Sequence, residues 1–163
     1  MLYIVMLGGR HPRARIEVHD VVFAQADTLE QLHPQLRKAW FGSAEGLHID
    51  SWLEVAGVDG YRVELSQMAP GPDAMRLFFL NLGGYERQVF GEAHRYLLVA
   101  ATDKAEAKRL GKQRMASDWL KPHTDAVLDV DDCLPVDLVA GRYVHLVKGE
   151  HAGIRQFSDY ILL

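Results

Sequence analysis

The sequence predicts an α+β fold: an internal duplication of a ββαββ unit, with mainly antiparallel sheets each covered by one helix, and a pseudo-two-fold relation between the halves. Three observations lead there. His48-Ile49-Asp50 returns 75 residues later as His123-Thr124-Asp125. At the same offset Leu7-Gly8-Gly9 returns as Leu82-Gly83-Gly84, and Glu17-Val18-His19 returns as Glu92-Ala93-His94. Around these anchors, each copy repeats strand-like segments flanking one helix-like segment. With eight histidines in the chain, chance gives roughly 0.2 His-on-His matches at a fixed offset, and two occur.

The first copy opens with a continuous apolar run over residues 2–7, read as a buried strand that Gly8-Gly9 ends. A basic loop with Pro12 leads to a second strand over 16–26, near enough to pair as an antiparallel hairpin. Thr28 is placed as a helix N-cap with Gln31 completing a capping box. Leu29, Leu32, Leu36 and Ala39 follow at helical spacing, and Gly42 is a stop signal. Pro34 interrupts that pattern, so a kink or a new helix start is expected there. Residues 48–55 alternate, with Ile49, Ser51, Leu53 and Val55 on one face and His48, Asp50, Trp52 and Glu54 on the other. A turn at Val58-Asp59-Gly60 and a fourth strand over 61–66 close the unit.

The second copy follows the same plan. Strands are expected over 77–82 and 92–101, with Asp103 and Glu106 in the capping positions. The helix runs to about residue 117, with Lys104, Lys108 and Lys112 on a solvated stripe. A third strand is expected over 123–130. Val58, Gly60, Val63 and Leu65 then match Val139, Gly141, Val144 and Leu146 at an offset of 81, which puts six extra residues around Cys133-Leu134-Pro135. The resulting division is a first half at 1–69, a linker at 70–75 marked by Pro70-Gly71-Pro72, a second half at 76–148, and a tail at 149–163 packed on the domain.

Composition narrows the function classes. The 163 residues are 48% apolar and 25% charged, ordinary values for a globular protein. A net charge of -4 argues against a generic nucleic-acid binder. The single cysteine, Cys133, cannot form an internal disulfide, and its acidic neighbours Asp131 and Asp132 disfavour a thiolate nucleophile. The apolar N-terminal run lacks a basic leader, and no run reaches membrane-spanning length. The expected setting is the cytoplasm, with no membrane partner.

Topology brings the repeated polar residues together. A helical crossover joins parallel strands, so Glu17 with His19 and His48 with Asp50 begin at one sheet edge, where Gly8-Gly9 also lies. The fourth strand, taken as antiparallel to the third, would end there with Glu64 and Ser66, or His145 in the second copy. Three roles fit such an edge. Glu–His and His–Asp pairs can lock strand ends together, with Gly-Gly allowing a bend at positive φ. Two histidines and two carboxylates, Glu17, His19, His48 and Asp50, can hold Zn²⁺, Mn²⁺ or Fe²⁺, and the Gly8-Gly9-Arg10 loop can hold an anion on its amides. A histidine oriented by a carboxylate can serve as a general base.

The residues Leu7-Gly8-Gly9, Glu17-Val18-His19-Asp20, Pro34-Gln35-Leu36-Arg37, Trp40-Phe41-Gly42 and Leu47-His48-Ile49-Asp50 resemble a bacterial family known as domain of unknown function 1543, found in one or two copies per protein. The resemblance covers most of residues 1–66 and implies no activity. The second copy departs from it: Asp20 is replaced by Arg95, Arg37-Lys38 by Lys112-Gln113, and Trp40-Phe41-Gly42 by Met115-Ala116-Ser117.

The leading functional expectation is a small-ligand or protein-binding module without catalysis. Its candidate site comprises Gly8, Gly9, Arg10, Glu17, His19, His48 and Asp50, with Gly83, Gly84, Glu92, His94, His123 and Asp125 in the second copy. The alternative is a metal-dependent hydrolase using the Glu/His/His/Asp cluster, with a divalent metal as its cofactor. The partner is a small molecule or a protein, and a homodimer is compatible with the sequence.

Overall fold

A computed structural model describes residues 1–85, 88–118 and 129–163. Among these residues the fold is α+β, with antiparallel strands in three sheets and two α-helices.

The first sheet has the order β11-β3-β1-β2, formed by β1 (Leu2–Gly9), β2 (Val18–Gln25), β3 (His48–Val55) and β11 (Ile154–Leu162). Both β2 and β3 are antiparallel to β1, so they run parallel to each other on either side of it. The segment joining them begins with a 3-10 turn at Glu30–Leu32 and continues as α1 (His33–Ala39), with Pro34 in the first turn, where its missing amide costs least. Thr28 is not the N-cap of either element: Leu29 holds that position for the 3-10 turn and Leu32 for α1, both without a side-chain hydrogen bond. Gln31 reaches back instead, accepting from the Asp27 amide at 3.1 Å. Leu32 and Leu36 bury α1 against Tyr3, Val5, Leu7 and Ile49 on one face of the sheet.

The second sheet repeats this arrangement, with order β7-β6-β8 from β6 (Arg76–Gly84), β7 (Ala93–Ala101) and β8 (Asp129–Pro135). Helix α2 (Lys104–Asp118) packs Ala107, Leu110 and Met115 on Phe78, Leu80 and Val99. Its start carries a capping-box variant: Asp103 accepts from the Glu106 amide at 2.8 Å, and Glu106 reaches one residue past Asp103 to accept from the amide and hydroxyl of Thr102 at 2.8 and 2.6 Å. Lys104, Lys108 and Lys112 are exposed.

The fourth strands correct the expected topology. Neither pairs with the third strand of its own half. Strand β5 (Tyr61–Ser66) pairs with β10 (Arg142–Lys148), and the short strands β4 (Gly57–Val58) and β9 (Leu138–Val139) flank them in the order β4-β5-β10-β9. This third sheet carries no helix among the described residues, so the expectation of one helix per sheet fails for it. A shared core of Leu2, Ile4, Val55, Leu77, Phe79, Leu98 and Val144 joins all three sheets. Burying that apolar surface is what commits the two halves to one another.

Register moves the six-residue offset. Val130 pairs with Leu82 and Cys133 with Leu80, whereas Ile49 pairs with Leu7 and Trp52 with Val5. The offset of 81 therefore already holds throughout β8, and the extra residues precede that strand instead of lying around Cys133-Leu134-Pro135. The tail, expected to pack down, forms β11 and pairs along β3. No helix among the described residues is long and apolar enough to cross a membrane.

Candidate functional site

Gly8 is the fixed point of the edge. It faces His19 across one ladder and His48 across the other. Neither Gly8 nor Gly9 has positive φ, and both belong to β1, so the expected bend is absent. Glycine is needed for space: a Cβ on Gly8 would stand 2.5 Å from His48 Nε2 and 2.6 Å from Asp50 Oδ2. The same addition on Gly9 would meet the Trp40 indole at 2.9 Å.

Asp50 reaches the cluster through a β-bulge. Met6 faces Ser51 and Leu7 faces Ile49, which leaves Asp50 as the extra residue between them. The strict alternation expected of β3 is broken at this point. Ile49 packs with the α1 core, whereas Leu53 and Val55 pack in the shared core.

Four side chains meet here. His19 Nε2 lies 3.3 Å from Glu17 Oε1 and 3.2 Å from Asp50 Oδ2. His48 Nε2 lies 3.2 Å from Asp50 Oδ1 and 3.6 Å from Glu17 Oε1. Glu17 and His19 are half-exposed, whereas the His48 side chain is only 2% exposed. Tyr160 of β11 covers it, with ring centroids 4.3 Å apart. Arg10 is exposed, and its carbonyl accepts from the Ser43 amide at 2.7 Å.

The hydrogen bonding fixes the His48 tautomer. Nδ1 sits 2.8 Å from the Gly46 carbonyl, which can only accept, so Nδ1 carries the proton. In the neutral ring, Nε2 then turns a bare lone pair toward two carboxylates. Asp50 Oδ2 is buried and has no hydrogen-bond partner among the described residues. Two lone-pair donors facing each other need something positive between them: a proton on Nε2, or a cation. Glu17, His48 and Asp50 offer ligand atoms that all lie within 4.8 Å of one another.

The second half has a related but different edge. Gly83 faces His94 and Asp129, and a Cβ on Gly83 would stand 2.4 Å from Asp131 Oδ2 and 2.5 Å from Glu92 Oε1. Gly84 pairs with Ala93. Asp131 occupies the bulge between Val130 and Asp132, as Asp50 does in β3. Glu92, His94 and Asp131 form the second group able to hold a metal ion. His94 Nδ1 lies 3.4 Å from Asp131 and 3.0 Å from Asn81 Oδ1. His123 and Asp125 lie outside the described residues. The strand position opposite Gly83 belongs to Asp129, so the second edge has an aspartate where the first has His48.

Sequence reasoning missed Asp131 and Tyr160. The offset of 81, visible at Val58 and Val139, would have found Asp131 if carried back one strand. No sequence signal marks Tyr160, whose place depends on the tail pairing with β3. Glu64, Ser66 and His145 are not at the edge; Glu64 and His145 face each other in the third sheet. Cys133 is buried, and burial raises its thiol pKa while Lys104 and Lys108 oppose the rise. A neutral thiol was expected, but its main cause is desolvation, not the acidic neighbours.

Fold and edge together define a class: an α+β protein of antiparallel sheets with a histidine–carboxylate cluster seated on a strand glycine. Comparison with known proteins places it further. The family described as Domain of Unknown Function (DUF1543) matches residues 14–65. A crystal structure of a protein Il1583 from Idiomarina loihiensis is 34% identical, covers 99% of this chain and 97% of its own, and superposes with a TM-score of 0.73. Residues 14–65 resemble that family, and the chain as a whole is related to the Idiomarina loihiensis protein. No curated protein matches it.

Proposed function

We propose that the chain is a duplicated ββαββ binding module, its halves at residues 1–69 and 76–148, and that the edge around Gly8 binds a divalent transition-metal ion. Glu17, His19, His48 and Asp50 are the ligands, a nitrogen–oxygen set suited to Zn²⁺, Mn²⁺ or Fe²⁺. One observation carries this reading. Nε2 of buried His48 faces the carboxylates of Asp50 and Glu17, and the Gly46 carbonyl engages Nδ1, which leaves Nε2 as the ligating nitrogen. Metal-bound histidines are oriented in this way, with the far nitrogen donating to a carbonyl.

The duplication is supported by matching bulges at Asp50 and Asp131 and by matching glycines at the strand ends. The first edge is the site proper, because the second has Asp129 at the position of His48. Metal analysis of untagged protein tests the reading. Near-stoichiometric zinc, manganese or iron that is lost in a His48→Ala variant is expected. If no metal copurifies and added divalent ions leave Tm unchanged, the edge is a hydrogen-bonded lock and the proposal falls.

A further inference from the structure

The shared core does not fill the whole space between the first and second sheets. Two adjoining compartments of about 350 and 310 Å³ remain, with Met6, Val21, Phe79 and Tyr96 lining both. Their combined size falls in the range of small-molecule sites. Their walls are paired by the repeat: Val21 and Tyr96 stand at equivalent places, as do Met6 and Asn81, at an offset of 75. The cleft therefore follows the relation between the halves and is a product of their packing.

The two ends differ in chemistry. Ile4, Leu53 and Phe79 make one end apolar. Buried Phe79 stacks on Tyr96 with centroids 5.5 Å apart and planes 18° apart, and the half-exposed Tyr96 is the accessible part of this aromatic wall. Asp20, Asp132 and His19 line the other end, where His19 also belongs to the Gly8 edge. Asn81 Nδ2 already donates to Asp132 at 3.1 Å, and the Val21 amide donates to Asp20 at 2.8 Å, so both carboxylates are held in place. Burial raises the Tyr96 hydroxyl pKa and the Asp132 charge adds to the rise, so the field of that carboxylate reaches the aromatic wall.

The geometry points to a binding site for a small amine with an aromatic or branched apolar body, its apolar part against Tyr96 and its ammonium between Asp20 and Asp132. An apolar trough ending in two carboxylates complements such a ligand in shape and charge, and the ring faces favour a cation nearby. Arg95 borders the apolar compartment, so the sign of the preferred charge is a real point of test. His19 links this end to the Gly8 edge, but the inference rests on Asp20 and Asp132 and not on a metal there.

The experiment is a titration of the whole ¹⁵N-labelled chain with phenethylamine and with phenylacetate, with and without EDTA. Saturable shifts of the Val21, Phe79 and Tyr96 amides by the amine are expected, unaffected by EDTA, with at least tenfold weaker binding of the acid. Asp132→Asn, at an exposed position, should weaken the amine about tenfold while keeping the native spectrum. Val21→Trp should fill the cleft and abolish binding. Absence of saturable shifts with either probe, or tighter binding of phenylacetate, overturns the proposal. Loss of amine binding in EDTA would tie it to the metal instead and would overturn its independence.

Discussion

Glu64 and His145 face each other across the β5–β10 ladder, and each is the other's equivalent at the offset of 81. On either side, Val63 faces Leu146 and Leu65 faces Val144, so the ladder reads the same from both ends. A local two-fold axis passes between these two residues. The flanking strands obey it too: Val58 faces Tyr61, and Val139 faces Arg142. This ladder is where the halves join by main-chain hydrogen bonds, and the shared core lies beneath it.

A chain cut to residues 1–75 should therefore fail as a monomer. It would expose the edge of β5, the apolar face of Leu2, Ile4, Val55 and Val58, and the edge of β3 left by β11. A second copy can supply the first two, since β5 pairs with its own repeat in the full chain. Light scattering is expected to find a dimer or an aggregate. A folded monomer would show that the β5–β10 ladder is dispensable.

Gly8→Ala should damage the cluster more than the sheet. The added methyl would overlap His48 Nε2 and Asp50 Oδ2 and must push at least one of them away. Overpacking of this kind costs about 1–3 kcal/mol. Zinc affinity should fall by more than tenfold, while the far-ultraviolet circular dichroism spectrum stays native. Gly83→Ala, which crowds Asp131 and Glu92, should leave zinc affinity at the first edge unchanged. Equal affinity in the Gly8 variant and wild type would mean that the methyl is absorbed without moving the ligands.

These residues also show what the sequence revealed and what it hid. Convergence of Glu17, His19 and His48 on Gly8 followed from the crossover rule, because parallel flanking strands must start at one edge. The bulge that aims Asp50 was hidden, since period-2 alternation assumes a regular ladder and one extra residue reverses the faces beyond it. Asp131 was hidden by a gapless match to His123-Thr124-Asp125, which drew the repeat through an insertion. The β5–β10 pairing was hidden for a different reason. Neighbouring strands in sequence usually pair, and nothing local in 61–66 says that its partner lies in the other half.

The α2 cap gives a pH dependence with a definite sign. Hydrogen bonds from the Thr102 hydroxyl and then the Thr102 amide hold the Glu106 carboxyl below its ordinary value. A carboxyl lowered on folding contributes stability above its unfolded pKa, and that contribution is lost as pH falls through the lower folded value. Glu106→Gln removes the ionisation but can keep an acceptor oxygen. Melting temperatures between pH 6 and pH 3 should fall less steeply in this variant than in wild type. Parallel curves would mean that the carboxylate form adds nothing to the cap.

Tyr160 guards His48 through a tilted ring contact, and its removal should change access more than stability. Asp159 and Tyr160 together stand opposite Asp50 where β11 slips register against β3 by one residue, and the slip brings the ring against the imidazole, with centroids 4.3 Å apart. Tyr160 is itself 62% exposed, so little of its own area is withdrawn from water. A ring contact of this kind is worth about 0.5–1.5 kcal/mol, which sets the scale of the loss of stability in Tyr160→Ala. His48, by contrast, would lose its cover and expose its ring. Carbethoxylation by diethyl pyrocarbonate, mapped by mass spectrometry, should reach His48 several-fold faster in the variant. His19, already half-exposed in the native protein, should react at an unchanged rate and serves as the internal reference. If both histidines speed up together, the tail has detached and Tyr160 acts as an anchor for β11. If neither does, the burial of His48 comes from Gly8 and the strands beside it.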